Sequence, residues 1–104
     1  IYGNFTDWNY AELTNNTYEF TFSGDVLNYC YNDYLEFLFY TDDQTVRIGG
    51  GTFTSLDENV ELTNSYDYVR LPISLLNEGT KYLITFTATG DYTATVSVCP
   101  TESF

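Results

Sequence analysis

The side chains in this 104-residue chain best equipped for chemistry are carboxylates and amides, gathered at Asn32-Asp33, Asp42-Asp43 and Asp57-Glu58-Asn59. Ca²⁺ takes about six to eight oxygen ligands, so such clusters converging at one end of a fold could hold it. Asp33, Asp42, Asp43 and Asp57 are the candidate calcium ligands. Their spacing is not that of a helix-loop-helix calcium motif. Asp and Asn also favour turns by bonding their own backbone, which makes solvated turns the competing reading. Asp42 and Asp43 invite comparison with a glycosidase pair, but adjacent residues point apart, whereas a glycosidase holds its two carboxyl groups across a bound sugar. The chain contains no histidine, and so lacks the usual general base near neutral pH and the commonest zinc ligand. No catalytic residues are assigned, no enzyme activity is expected, and calcium is the only cofactor considered.

Arg47, Arg70 and Lys81 are the only basic residues against fifteen acidic ones, a net charge of −12. Phosphate backbones and anionic headgroups are bound mainly through Lys and Arg, so neither a nucleic acid nor membrane insertion is expected. Cys30 and Cys99 lie too far apart for a C-x-x-C metal or redox motif, and a structural disulfide is the expected outcome. A loop of that length would contribute roughly 4 kcal/mol on the chain-entropy model. Two N-x-T sequons place candidate glycosylation at Asn4 and Asn15, and with the cysteines they point to a secreted or cell-surface location. The chain starts at Ile1 and has no methionine, as a processed or excised segment would. Gly49-Gly50-Gly51 is not followed by the Lys and Ser or Thr of a phosphate-binding loop, and reads as a flexible hairpin tip or bulge.

The elements that must position these groups are strands. Aromatics are 19% of the chain, and the hydrophobic period is 2. Tyr18, Phe20 and Phe22 alternate with polar residues over 17–23. Residues 34–40 put Leu35, Phe37 and Phe39 on one face and Tyr34, Glu36, Leu38 and Tyr40 on the other, as in a central strand with both faces partly covered. Residues 80–88 place Tyr82, Ile84 and Phe86 inward. Gly90-Asp91 then turns the chain into 92–98, with Tyr92, Ala94, Val96 and Val98 inward, the glycine supplying the positive φ of a tight hairpin. Shorter strands are expected at 26–31, 45–48, 51–54, 59–63 and 66–71, with Pro72 ending the last and one helical turn before Gly79. The sum is an all-β antiparallel two-sheet sandwich, jelly-roll or immunoglobulin-like, with one disulfide. Its domain spans 17–104, preceded by an N-terminal arm or edge strand over 1–16.

The run Tyr18 to Gly24, then Tyr34 to Asp42, Gly79 to Ile84 and Gly90 to Val96, resembles the bacterial pre-peptidase C-terminal family of secreted β-sandwich modules. The likeness covers about residues 18–98. It implies a jelly-roll domain accompanying secreted hydrolases, sometimes with calcium. The family's alternating Asp residues before the central strand are replaced here by Asn32-Asp33.

Two functions from different classes follow. The first is a structural or adhesive subunit of a surface filament, joined to copies of itself by strand addition through an apolar arm carrying Ile1, Phe5, Trp8 and Tyr10. The arm, residues 1–13, does not alternate cleanly as a donated strand would. The second is a carbohydrate-binding accessory module of a secreted enzyme. There Trp8 and tyrosines such as Tyr29, Tyr31 and Tyr34, or Tyr66 and Tyr68, would serve as stacking platforms.

Overall fold

The computed structural model describes residues 1–6, 10–24, 33–41, 45–65 and 67–101. Eight strands run through them: β1 (Tyr2–Gly3), β2 (Thr17–Thr21), β3 (Tyr34–Tyr40), β4 (Arg47–Gly49), β5 (Val60–Asn64), β6 (Val69–Pro72), β7 (Lys81–Ala88) and β8 (Ala94–Pro100). Single 3₁₀ turns occupy Asn4–Thr6 and Ile73–Leu75. The expected strand at 26–31 lies outside the described residues.

The strands form one curled antiparallel half-barrel in the order β1-β3-β4-β5-β8-β7-β2, with β6 also on β3. All eight strands are joined in one continuous ladder. β3 is the reason. Its residues 34–37 pair with β6, Phe39 and Tyr40 pair with β4, and Phe37 and Leu38 pair with β1. A single strand shared among three partners carries the sheet around the core instead of ending it.

The core follows the predicted alternation. Phe20, Phe22, Leu35, Phe37, Phe39, Tyr82, Ile84, Ala94, Val96 and Val98 are all buried in one cluster. Leu38 is also buried, on the opposite face of β3, so that strand is covered on both sides as expected of a central one. Burying a side chain of this size is worth about 1.5–3 kcal/mol, so the alternating residues largely set which face turns inward.

Three local expectations need correcting. β7 and β8 do form the C-terminal hairpin, in register Ala88↔Ala94. Its loop, however, closes through Thr89 N and Gly90 N donating to Thr93 O (3.0 and 3.2 Å), without a positive φ at Gly90. Tyr92 sits in that loop, 56% exposed and not inward. The glycine triplet is no flexible tip. A Cβ on Gly49 would collide with Asp67 O and Leu38, and one on Gly51 with the Val60 side chain. Gly50 has φ +89°, the left-handed region that suits glycine. These residues let the chain leave β4 and cross closely over β5 to reach β6, where Phe53 N and Arg70 N make backbone bonds to Arg70 O and Gly51 O (2.9 Å each).

Of the N-terminal segment, Ile1 lies in the same core and Phe5, Ala11 and Leu13 pack against it. Ile1 is 6% exposed, and Phe5 stacks on Phe20 (4.7 Å between centroids) and lies 5.5 Å from both Tyr18 and Phe37. Ile1 N donates to Ala11 O (2.8 Å) and Ala11 N to Ile1 O (2.9 Å), so the chain doubles back beside β1. It then turns at Thr14–Thr17, where Thr14 N and Thr17 N each donate to the other's carbonyl (2.9 and 3.0 Å). Asn15 and Asn16 have φ 52° and 63°, a type I′ geometry that short amide side chains tolerate.

Candidate functional site

Among the described residues the two ends of the half-barrel, β1 and β2, do not pair with each other, and a cleft of about 690 Å³ opens beside the doubled-back segment. Phe39 and Phe86, 4.6 Å apart, are placed here by β3 and β7. Ile1, Ala11 and Leu13 add apolar surface, and Tyr10, Glu12, Asn16, Tyr40 and Thr41 complete the lining. Aromatic and aliphatic walls thus meet polar groups from the doubled-back segment, its turn and the end of β3.

Three tyrosines meet at this cleft. Tyr10 lies 5.0 Å from Tyr2 and 5.0 Å, edge-on, from Tyr40, and Tyr2 is 5.9 Å, edge-on, from Tyr40. Edge-on pairs at these distances are favourable because the positive ring edge meets the negative face. The Arg47 guanidinium stands 5.6 Å over the Tyr40 ring, a cation–π contact that braces it. Burial raises the Tyr40 phenol above its ordinary range, with Arg47 opposing and the Tyr10 hydroxyl, which shares a hydrogen bond with it, adding to the rise. The Tyr40 phenol is therefore neutral at physiological pH. Tyr10 is 52% exposed. The Glu12 and Asn16 side chains are exposed, and neither makes a hydrogen bond to another described residue.

The anticipated site residues are scattered by comparison. Asp33, in a turn with φ 65°, and Asp57 are both exposed, and Asp42 and Asp43 lie outside the described residues. Among the described residues no three acidic or cysteine side chains come together as a metal site. In the Asp57-Glu58-Asn59 cluster, Glu58 accepts hydrogen bonds from Thr54 N, the Thr54 hydroxyl (3.1 Å) and Ser55 N (3.3 Å). The bond from the Thr54 backbone, above all, holds its carboxyl below the usual carboxylate range. That carboxylate closes its own loop, which is the solvated-turn reading for this cluster.

Cys99 is an exposed free thiol near the end of β8, no disulfide joins the described residues, and Cys30 lies outside them. Asn15 is exposed at the tip of its I′ turn, where a glycan would meet no obstruction from the sheet, and Asn4 begins the first 3₁₀ turn. Of the arm residues, Ile1 and Phe5 are in the core, Tyr10 lines the cleft, and Trp8 lies outside the described residues, as do Tyr29, Tyr31 and Tyr66. Tyr34 and Tyr68 are half-buried and do not line the cleft.

No family model matches this chain, and neither does any curated protein or solved structure. The site therefore has to be read from its own geometry.

The sequence reading passed over Glu12, Asn16 and the trio Tyr2, Tyr10 and Tyr40 as a unit. The Asn15-Asn16 pair was the available signal, since adjacent amides flanked by threonines favour a tight turn that folds the preceding residues back. Nothing local announces that β3 brings Tyr40 beside Tyr2.

Proposed function

We propose that this protein is a non-enzymatic structural or adhesive module of the cell exterior, which assembles with copies of itself by strand addition. The observation that carries the reading is the unpaired end of the half-barrel. Among the described strands β2 pairs with β7 alone, and the bonds Phe22 N to Thr80 O and Phe86 N to Asn16 O set the even-numbered residues toward β7. The backbone groups of Glu19 and Thr21 then face outward, the kind of edge to which another chain adds.

The donor is the segment over 1–13. Among its described residues it joins the sheet through the two-residue β1, Ile1 and Ala11 bond each other within the segment, and it carries the buried Ile1 and the partly buried Phe5. A segment whose apolar side chains leave its own core regains the same contacts in a neighbour's, which is the condition for exchange. In this reading the curled sheet acts as a sandwich-like unit of the kind the pre-peptidase C-terminal resemblance implies. Cys30 and Cys99 pair under oxidising conditions, and Asn4 and Asn15 carry sugars.

The test is the mass of the native particle by light scattering, with electron microscopy, set against a monomer of 11.9 kDa. Concentration-dependent oligomers that are capped by an excess of a synthetic peptide of residues 1–13 support the proposal. A strict monomer up to millimolar protein, unaffected by the peptide, sinks it.

A further inference from the structure

We propose that the cleft bounded by Tyr10, Glu12, Asn16, Phe39, Tyr40 and Phe86 is a binding site for a neutral saccharide. Size is the first argument: about 690 Å³ lies within the roughly 300–1,000 Å³ of small-molecule sites.

Charge is the second argument. Among the described lining residues the charged groups are the Glu12 carboxylate and the Ile1 ammonium, the latter partly buried and donating to Ala11 O (2.8 Å), and the whole chain carries −12, so an anionic ligand would enter against the overall field. Arg47, beside the site, is already engaged over Tyr40. A neutral ligand remains, and the lining specifies one that is apolar on its faces and rich in hydroxyls at its edge. A sugar ring has both features.

The third argument is how the residues are held. Tyr10 is half exposed, yet its ring is fixed between Tyr2 and Tyr40, so it presents a flat surface at little entropic cost when a ring stacks on it. Glu12 and Asn16 flank it with a carboxylate that can accept from two neighbouring hydroxyls and an amide that can both accept and donate. Neither side chain is consumed by a hydrogen bond to a described residue. Asn16 is further fixed by its left-handed φ of 63° and by Phe86 N donating to its carbonyl (2.9 Å). This inference does not depend on self-assembly: the residues that form the site come together within one copy of the chain.

The experiment is a titration of the intact protein with tetrasaccharides of β-1,4-glucan, β-1,3-glucan, chitin and α-mannan, followed by calorimetry and by NMR shifts of the tyrosine rings. At least one should bind with micromolar to low-millimolar affinity. Tyr10→Ala should weaken that binding tenfold or more, Glu12→Gln about threefold to tenfold, and Tyr10→Phe less than threefold. Tyr92→Ala, which removes an equally exposed tyrosine in the β7–β8 loop, should change nothing. The proposal is overturned if none of the four binds at 10 mM, or if binding survives both Tyr10→Ala and Glu12→Gln in chains that melt like the parent. Saturable binding of tetramethylammonium that displaces the bound tetrasaccharide at lower concentration would also overturn it, since the cleft would then be a cation site.

Discussion

Replacing Phe5 by alanine tests the seam on which both the closed monomer and its exchange depend. Phe5 is the side chain that spans the unbonded gap, stacked on Phe20 and Tyr18 of β2 and tilted against Phe37 of β3. Phe-to-Ala changes in full cores cost about 3–5 kcal/mol. Phe5 is half-buried, so the transfer and cavity contributions are smaller, while its aromatic contacts add about 0.5–1.5 kcal/mol per pair. The expected loss is about 2–3 kcal/mol. For a domain of this size each kcal/mol moves the midpoint by roughly 4–8 °C, so Tm should fall by roughly 10–20 °C. Urea titration followed by far-ultraviolet circular dichroism measures the loss directly. Phe5→Leu, which keeps most of the volume but not the ring, should cost about 1 kcal/mol. A change below about 0.5 kcal/mol for Phe5→Ala would refute the reasoning, because the half-barrel would then be held shut without its bridging side chain. Self-assembly gives the same variant a second readout: a weakened arm contact weakens it equally in the neighbour, so oligomers should dissociate at protein concentrations where the parent stays assembled.

Gly51→Ala should cost about 1–3 kcal/mol in a urea melt, because its methyl group meets the Val60 and Leu62 side chains, whereas Gly24→Ala, with only Glu78 Oε1 near it at 3.9 Å, should be close to neutral. At Asn15, whose φ is 52°, substitution by valine should cost about 1 kcal/mol and substitution by glycine should cost nothing or stabilise slightly. In material from a glycosylating host, Asn15→Gln should remove one glycan mass from the intact-protein spectrum. Glu58 contributes stability that is present above its unfolded-state pKa and is lost as pH falls through its depressed folded-state value. Thermal melts between pH 6 and pH 2 should therefore show a shallower acid loss for Glu58→Gln than for the parent, and parallel curves would contradict the hydrogen bonding at Thr54 and Ser55.

The strands that were legible in the sequence are those whose residues alternate and whose outcome a single face decides. β2, β3, β7 and β8 fall where Tyr18, Leu35, Tyr82 and Val96 and their period-2 neighbours place them. β6 ends at Pro72, which lacks the amide hydrogen to continue a ladder. The glycine triplet was conspicuous but ambiguous. The same three residues serve a loose tip or a tight crossing, and only the neighbours at Val60, Leu38 and Asp67 decide between them. The acidic clusters were ambiguous in the same way: Glu58 bonds its own loop, and whether carboxylates converge depends on which loops the topology brings together.

Composition and periodicity thus determined that this is an acidic all-β protein without the usual catalytic inventory, because those properties depend on residue counts and on which side of a strand each residue occupies. The curl of the sheet, the packing of Ile1 and Phe5 onto the core and the meeting of Tyr2, Tyr10 and Tyr40 beside the cleft belong to the tertiary structure. Each depends on pairings between residues distant in sequence, such as Tyr2 with Leu38 and Ile1 with Ala11. Backbone groups are chemically alike in every residue, so hydrogen bonding alone does not select such partners. They are chosen by the packing of the whole core, which no local pattern encodes.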